Sequence, residues 1–235
     1  MVHLGIIPDG NRRWATKNYY DINNIISNYE QILINFINKY KNKKKISKYL
    51  KNITDISFYI LSIDNMNRKD DTVDILFKII KYLYSIYKDP IEFLKKHNIN
   101  YTEEQYNNIQ ELFNQTNITF IGDLDKLPSE IQNILNQFKK YNKDNKYNLY
   151  FAIAYDYYKD IQSYNNLNYK YYIRNQPNID LILRTGGEYR TSGFFPTKII
   201  YSELFILKKL WPEIILDDFI NVLKKYHNRS RRFGK

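Results

Sequence analysis

The sequence predicts an α/β protein built on a mainly parallel central β-sheet flanked by helices on both faces. Three observations carry this expectation. Short apolar runs alternate with longer stretches whose apolar residues recur at helical spacing. Several of those runs close on glycine, aspartate or arginine, as buried parallel strands do where the chain turns toward a helix. No Pro/Gly/Ser-rich linker and no internal repeat divides the 235 residues, so residues 1–235 are expected to form a single domain.

Taken in order, residues 3–8 are a short apolar run and read as a buried strand. Asp9, Gly10 and Asn11 follow as a turn and helix N-cap, and Arg12, Arg13 and Trp14 open a helix. Ile25, Ile26, Tyr29, Ile32, Leu33, Phe36, Ile37 and Tyr40 have the spacing of a second helix. Residues 55–61 are the second strand, with a polar loop over residues 62–68 at its carboxyl end. A long helix runs from Asp71 through Leu76, Ile79, Ile80, Leu83 and Tyr87. Pro90 starts another that ends near His97, and residues 103–114 form a further short helix. Residues 117–121 are a strand closed by Gly122 and Asp123, and a helix carrying Ile131, Ile134, Leu135 and Phe138 follows Pro128. Residues 148–154 are another strand, and residues 161–174 are polar, tyrosine-rich and weakly helical. A strand at residues 179–183, a last strand or buried segment at 201–207 and a helix at 217–227 complete the chain before a basic tail.

The chain has no cysteine, which removes disulfide frameworks and thiolate metal sites and fits a reducing compartment. No leader is read ahead of the first strand, and no apolar run reaches membrane-spanning length. A cytoplasmic location with peripheral membrane contact is therefore expected. The formal net charge of +11 suggests an anionic partner, but lysine supplies most of it in a chain also rich in Asn, Ile and Tyr. No specific nucleic-acid binding is expected from so diffuse an excess. The nine arginines are more informative. All but Arg174 lie in four short segments that also hold most of the glycines, and a guanidinium fork grips phosphate in a bidentate way that an ammonium cannot.

The stretch from Asp180 to Gly193 concentrates these features. Its apolar run ends in Arg184, Gly186 and Gly187 free the backbone to approach a ligand, and Arg190, Thr191 and Ser192 follow at the carboxyl end of the strand. A diphosphate site and a turn with solvated arginines account for this stretch about equally well. Asp9, at the same sheet edge, is either an ion-pair partner of these arginines or a ligand to Mg²⁺, which takes one or two carboxylates plus phosphate oxygens. Glu203 is the natural second carboxylate. The Asp70-Asp71-Thr72-Val73-Asp74 run spells the DDxxD of helical prenyl synthases, but it occurs once and in an alternating α/β chain, so it reads as a helix start. His3, His97 and His227 have no metal-ligand spacing.

With these residues in hand, the chain resembles the cis-prenyltransferases, the undecaprenyl and dehydrodolichyl diphosphate synthase family. Pro8 through Ala15 is similar to the DGN-x-RW-A motif. Ser62 through Arg68 is similar to SxEN-W-x-R, with Asp64 and Met66 substituted. Ala152 through Tyr155, with Asp160 and Ile161, resembles the A-A-N-Y strand, though Asp156 and Tyr157 stand where the family prefers two glycines. Asp180 through Ser192 is similar to D-L-x-I-R-T-G-G-E-x-R-x-S, Tyr201 through Leu204 with Leu210-Trp211-Pro212 to Y-x-E-L…LWP, and Arg231 through Gly234 to the basic R-x-G tail. The resemblance spans nearly the whole chain.

What the resemblance implies is a homodimeric, Mg²⁺-dependent enzyme with an apolar tunnel between sheet and helices. It would condense isopentenyl diphosphate with an allylic diphosphate such as farnesyl diphosphate into a Z-polyprenyl diphosphate. Asp9 would hold the metal and help the allylic diphosphate leave. Gly10, Asn11, Arg12 and Arg13 would bind that group, with Trp14 near the prenyl chain. Asn65, with Ser62 and Arg68 beside it, would sit at the reacting ends. Arg184, Arg190, Thr191 and Ser192 would bind isopentenyl diphosphate, Glu203 would complete the metal site, and Arg232 would reach the partner's site. Two other readings of the residues stand beside it: a non-catalytic partner subunit of the same fold, and a basic nucleic-acid-binding module.

Overall fold

Six parallel strands form one sheet in the order β3-β4-β2-β1-β5-β6 in a computed structural model that describes residues 1–18, 49–66, 72–100, 102–138, 142–163 and 176–230. The strands are β1 (Val2–Ile7), β2 (Ile53–Tyr59), β3 (Thr116–Ile121), β4 (Tyr147–Ala152), β5 (Leu181–Arg184) and β6 (Glu203–Ile206). The helices are α1 (Asn11–Lys17), α2 (Ile63–Met66), α3 (Thr72–Lys88), α4 (Pro90–Lys96), α5 (Glu103–Asn114), α6 (Ser129–Asn136), α7 (Tyr157–Ser163) and α8 (Leu216–His227).

Both faces of the sheet are covered, which is why β1 and β5 are buried at every position. On one face Leu4, Ile6, Leu181 and Leu183 pack against Val222, Leu223 and Tyr226 of α8. On the other, Ile7 and Ile182 meet Phe194, Phe195 and Tyr155. Each such aliphatic side chain contributes about 1.5–3 kcal/mol by leaving water. Leu183 is fully buried, and its truncation to alanine would cost about 2–5 kcal/mol. A third cluster joins Ile80 of α3 to Ile131 and Leu135 of α6 over Leu61 and Ile153.

Local chemistry sets the helix ends. Asp89 caps α4 by accepting from the Ile91 and Glu92 amides at 3.1 and 2.9 Å, with Pro90 at the first helical position. In α8, Asp217 and Asp218 lie in the first turn and Lys224, Lys225 and His227 in the last, each matching the helix dipole.

Two side-chain rows cross the sheet. The first is polar and lies toward the amino ends of the strands: His3 pairs in register with Asp55, Asp55 with Asn148, and Asn148 with Asn117. Asn148 donates to Asp55 at 3.0 Å, Asn117 to Asn148 at 2.9 Å, and His3 Nε2 meets Ser57 Oγ at 2.8 Å. Burial outweighs the nearby carboxylates Asp55 and Asp180 and holds the His3 imidazole below its ordinary pKa. The second row is aromatic and half-buried: Phe58 stacks on Phe151 at 5.4 Å and Phe151 on Phe120 at 5.7 Å, with Trp211 and Phe138 at its two ends.

The expected alternation of strands and helices is present, with three differences. The loop expected over residues 62–68 contains a short helix, α2, because the Ser62 hydroxyl accepts the Asn65 amide at 3.2 Å and closes a helical turn. The weak helix expected over 161–174 begins earlier, at Tyr157, and its described part ends at Ser163. The N-cap of α1 is Gly10 itself, in the left-handed region at φ 103° and with no side-chain capping bond. The helix expected over residues 25–40 lies outside the described residues, as do Arg68, Asp70, Asp71 and Arg232.

Candidate active site

The strand order reverses between β1 and β5. From β1 the chain moves to β2 on one side, while β5 and β6 lie on the other. Ligands of open parallel sheets bind at such a switch point, outside the carboxyl ends of the strands. Asp9 follows β1, and Arg184 ends β5 in register with Ile7.

Backbone contacts fix Asp9 before its side chain does anything. Its carbonyl accepts from Thr185 Oγ1 at 2.7 Å and from the Trp211 amide at 3.0 Å. Gly10 then turns at φ 103°, which other residues resist, and a Cβ there would also lie 3.1 Å from Leu210 Cα. The Asp9 carboxylate accepts from Arg184 Nη2 at 2.7 Å and from Arg13 Nη2 at 3.4 Å. Burial pushes the Asp9 carboxyl up, but the Arg184 hydrogen bond and charge, with Arg13, outweigh it and hold the group below the usual range. Asp9 is therefore ionised at neutral pH.

Arg184 is the hub. Its side chain is 4% exposed, and besides Asp9 it donates to the Arg190 carbonyl and to Ser192 Oγ, the latter at 3.0 Å. Its Nε is buried with no hydrogen-bond partner among the described residues. Arg13 donates to the Gly186 carbonyl at 2.8 Å and lies 3.7 Å from Glu188, while Arg190 pairs with Glu188 at 2.6 Å. The outer pairs are exposed, so each holds its arginine weakly. An incoming anion can take Arg13 and Arg190 from Glu188 at little cost. An open basin of about 540 Å³ lined by Arg12, Arg13, Thr16 and Lys17 shares Arg13 with this cluster.

Of the residues expected at the site, Asp9, Gly10, Arg13, Arg184, Arg190 and Ser192 are linked directly by these contacts. Thr191 lies in the same turn, its carbonyl accepting the Phe194 amide at 3.1 Å. Asn11 turns its amide onto the Pro8 carbonyl at 3.1 Å, Arg12 is exposed on α1, and Trp14 is half-buried there. Ser62 and Asn65 form the α2 turn, which is tied to Tyr155 by the Ile63 amide at 2.8 Å. Glu203 is not brought to Asp9 within one chain. It begins β6 opposite Leu181, three residues from the Arg184–Ile206 pair, and sits 3.5 Å from Arg229.

Sequence reasoning missed Thr185, Glu188 and Tyr59. Tyr59 ends β2 and donates its phenol to the Ser192 carbonyl at 3.0 Å. Its position at a strand tip beside Ser62 was the available signal. Where the family prefers two glycines, Tyr157 lays its ring over Gly193, whose added Cβ would fall 2.7 Å from Tyr157 Cδ1.

Among the described residues no three His, Cys, Asp or Glu side chains converge as a metal cage, and no helix is long and apolar enough to cross a membrane. The donor set suits a hard cation shared with an anionic ligand: one ionised carboxylate, about one-third exposed, among arginines, rather than an all-protein cage.

Comparison with known proteins agrees with this geometry. Residues 7–234 match the family described as "Putative undecaprenyl diphosphate synthase". The chain is 30% identical over 260 residues to the tritrans,polycis-undecaprenyl-diphosphate synthase (geranylgeranyl-diphosphate specific) of Thermoplasma acidophilum, covering 99% of this chain and 88% of that protein. It is 28% identical over 257 residues to the isoprenyl transferase of Rickettsia felis, covering 99% and 94%. Lavandulyl diphosphate synthase from Lavandula x intermedia, crystallised with dimethylallyl diphosphate, shares the fold with a TM-score of 0.64 at 20% identity, over 99% of this chain and 98% of that one. Strand order, the carboxylate–guanidinium cluster and a match over nearly the full length converge: the chain belongs to the undecaprenyl diphosphate synthase family, and it is a cis-prenyltransferase.

Proposed function

We propose that the chain, acting as a single domain, condenses isopentenyl diphosphate with an allylic diphosphate and releases a Z-polyprenyl diphosphate. The observation that carries this reading is the Asp9–Arg184–Arg13 cluster at the switch point, with Trp211 linking it to the aromatic row. Arg13, with Gly10, Asn11 and Arg12, holds the allylic diphosphate. Arg184, Arg190, Thr191 and Ser192 hold isopentenyl diphosphate, and the Phe58–Phe151–Phe120 row gives the growing chain an apolar floor.

In the reaction the allylic carbon–oxygen bond breaks and diphosphate leaves with the electron pair. The double bond of isopentenyl diphosphate supplies the electrons of the new carbon–carbon bond, and a proton is lost to form the cis double bond. Negative charge grows on the departing oxygens, and guanidinium groups already fixed by Asp9 and Gly186 meet it without reorganising. Asn65 and Arg68 orient the reacting ends. Asp9 and Glu203 of a second copy would hold Mg²⁺, which would supply further neutralisation of that charge.

A homodimer is part of the reading. Ile200, Tyr201 and Leu204 are 76%, 63% and 42% exposed on or beside β6, the edge strand that begins at Glu203. Covering that edge would bring Glu203 toward a partner's site, and Arg232 is read as contributing there too. The protein would work in the cytoplasm at a membrane surface, where an apolar product leaves.

The test is transfer of radiolabel from isopentenyl diphosphate, with magnesium, to farnesyl or geranylgeranyl diphosphate. Curated relatives named for geranylgeranyl diphosphate are the reason to try both primers. Labelled products longer than the primer are expected. None with any primer overturns the reading in favour of a non-catalytic subunit.

A further inference from the structure

We infer that Tyr59 is a positioning residue that ties the tip of β2, which leads into the α2 turn, to the Ser192 turn of the isopentenyl diphosphate site. The inference rests on the functional reading above, and it adds a residue which that reading does not use.

Tyr59 stands at the tip of β2, between the α2 turn that carries Asn65 and the turn that carries Ser192. Its phenol donates to the Ser192 carbonyl at 3.0 Å. Ser62, three residues further along the chain, opens the α2 turn and accepts the Asn65 amide at 3.2 Å. The phenol thus joins the strand tip that leads into the α2 turn to the turn that carries Ser192. The ring itself is locked, stacked on Phe194 at 5.3 Å and edge-on to Tyr155 at 5.9 Å. Burial pushes the phenol up to about 12, so it stays a donor throughout the working pH range.

The Ser192 turn needs such a tether. Ser192 has φ 53° and Phe195 φ 41°, both left-handed conformations that side chains other than glycine resist. Two contacts hold Ser192 there: Arg184 on its hydroxyl and Tyr59 on its carbonyl. Without the Tyr59 contact the turn can relax away from Arg184, and the diphosphate would meet its donors out of place.

The test is Tyr59→Phe in the full chain, which keeps both ring contacts and removes one hydroxyl. KM for isopentenyl diphosphate should rise about 3–10-fold with kcat changed far less, as expected for a lost binding geometry worth one hydrogen bond. The melting temperature should stay close to that of the parent. Tyr59→Leu, which also removes the ring contacts, should lower the melting temperature as well. Binding of inorganic diphosphate, measured by calorimetry, should weaken by the same factor in Tyr59→Phe. An unchanged diphosphate affinity and KM overturn the proposal, as does a fall in melting temperature with kcat and every KM shifting together. If the parent chain transfers no prenyl group, the functional reading fails alone, and the calorimetric comparison still decides the role of Tyr59.

Discussion

Arg184 and Asp9, 175 residues apart in sequence, meet at 2.7 Å across the point where the strand order reverses. The pair is asymmetric, because the guanidinium is nearly inaccessible while the carboxylate is about one-third exposed. Arg184 depends on Asp9 for its charge balance, whereas Asp9 keeps a face open to a ligand.

That asymmetry predicts different outcomes for two substitutions at residue 9. Asp9→Ala strips a buried guanidinium of its anion and should cost about 1–3 kcal/mol in urea melts. Asp9→Asn retains an acceptor oxygen toward Arg184 and should unfold closer to the parent. Both should lose about 10²–10³-fold in turnover, because neither supplies the negative charge. Steady-state prenyl transfer beside the melts separates the two effects.

The adjacent glycines should not behave alike. Both have positive φ, 83° at Gly186 and 76° at Gly187, so alanine at either costs about 1–2 kcal/mol in the left-handed region. Only at Gly186 would the new Cβ meet Arg13 Nη2, at 2.4 Å, whereas at Gly187 the nearest neighbour is Lys208 Cα at 3.8 Å. Gly186→Ala should therefore also weaken binding of the allylic diphosphate, and Gly187→Ala should not. Calorimetry with each variant reads the difference.

Glu203 offers a test of the dimer. Its contact with Arg229 is long and exposed, so Glu203→Gln should change stability by less than about 1 kcal/mol. Turnover and its magnesium dependence should nevertheless suffer. Mixing inactive Asp9→Asn with inactive Glu203→Gln should restore roughly a quarter of parental activity if each site draws on both copies, because half the dimers are hybrid and each hybrid has one intact site. No recovery on mixing would place Glu203 outside the metal site.

Asp160 predicts a pH effect away from the reacting groups. Burial pushes its carboxyl up to about 6, against the opposing influence of the Tyr155 phenol and the Lys198 charge. The folded protein then holds a proton that the unfolded chain releases near pH 3.9. The stability contribution is complete below that pH and is lost as pH rises through about 6. Compared with Asp160→Asn, the parent should lose up to about 3 kcal/mol across this window, read from urea melts of both proteins.

Much of this arrangement was legible in the residues, and the limits have physical causes. Runs such as Leu181-Ile182-Leu183 announce buried parallel strands because both faces are covered, and Gly186 and Gly187 announce a turn that other residues resist. Arginine set in glycine-rich turns predicted a shared cluster, and Asp9, Arg13 and Arg184 do converge. Tyr59 offered only its place at a strand tip beside Ser62, which equally reads as core, and its hydroxyl partner is a backbone carbonyl 133 residues away. The α2 turn was missed because one hydrogen bond from the Asn65 amide to the Ser62 hydroxyl overrides the polar, loop-like composition of its neighbours. Glu203 could be nominated but not located, since strand register follows from pairing across the whole sheet.

The polar row His3–Asp55–Asn148–Asn117 has a bearing on chemistry it never touches. A strand that slid by one position would strand those hydrogen bonds inside the sheet and carry its tip about 3.3 Å along. His3 and Asp180 interlock β1 with the start of β5, the His3 amide meeting Asp180 Oδ2 and the Asp180 amide the His3 carbonyl. The foot of the sheet thus acts as a ruler for its crown, and damage there should appear first as a misaligned Asp9 and Arg184.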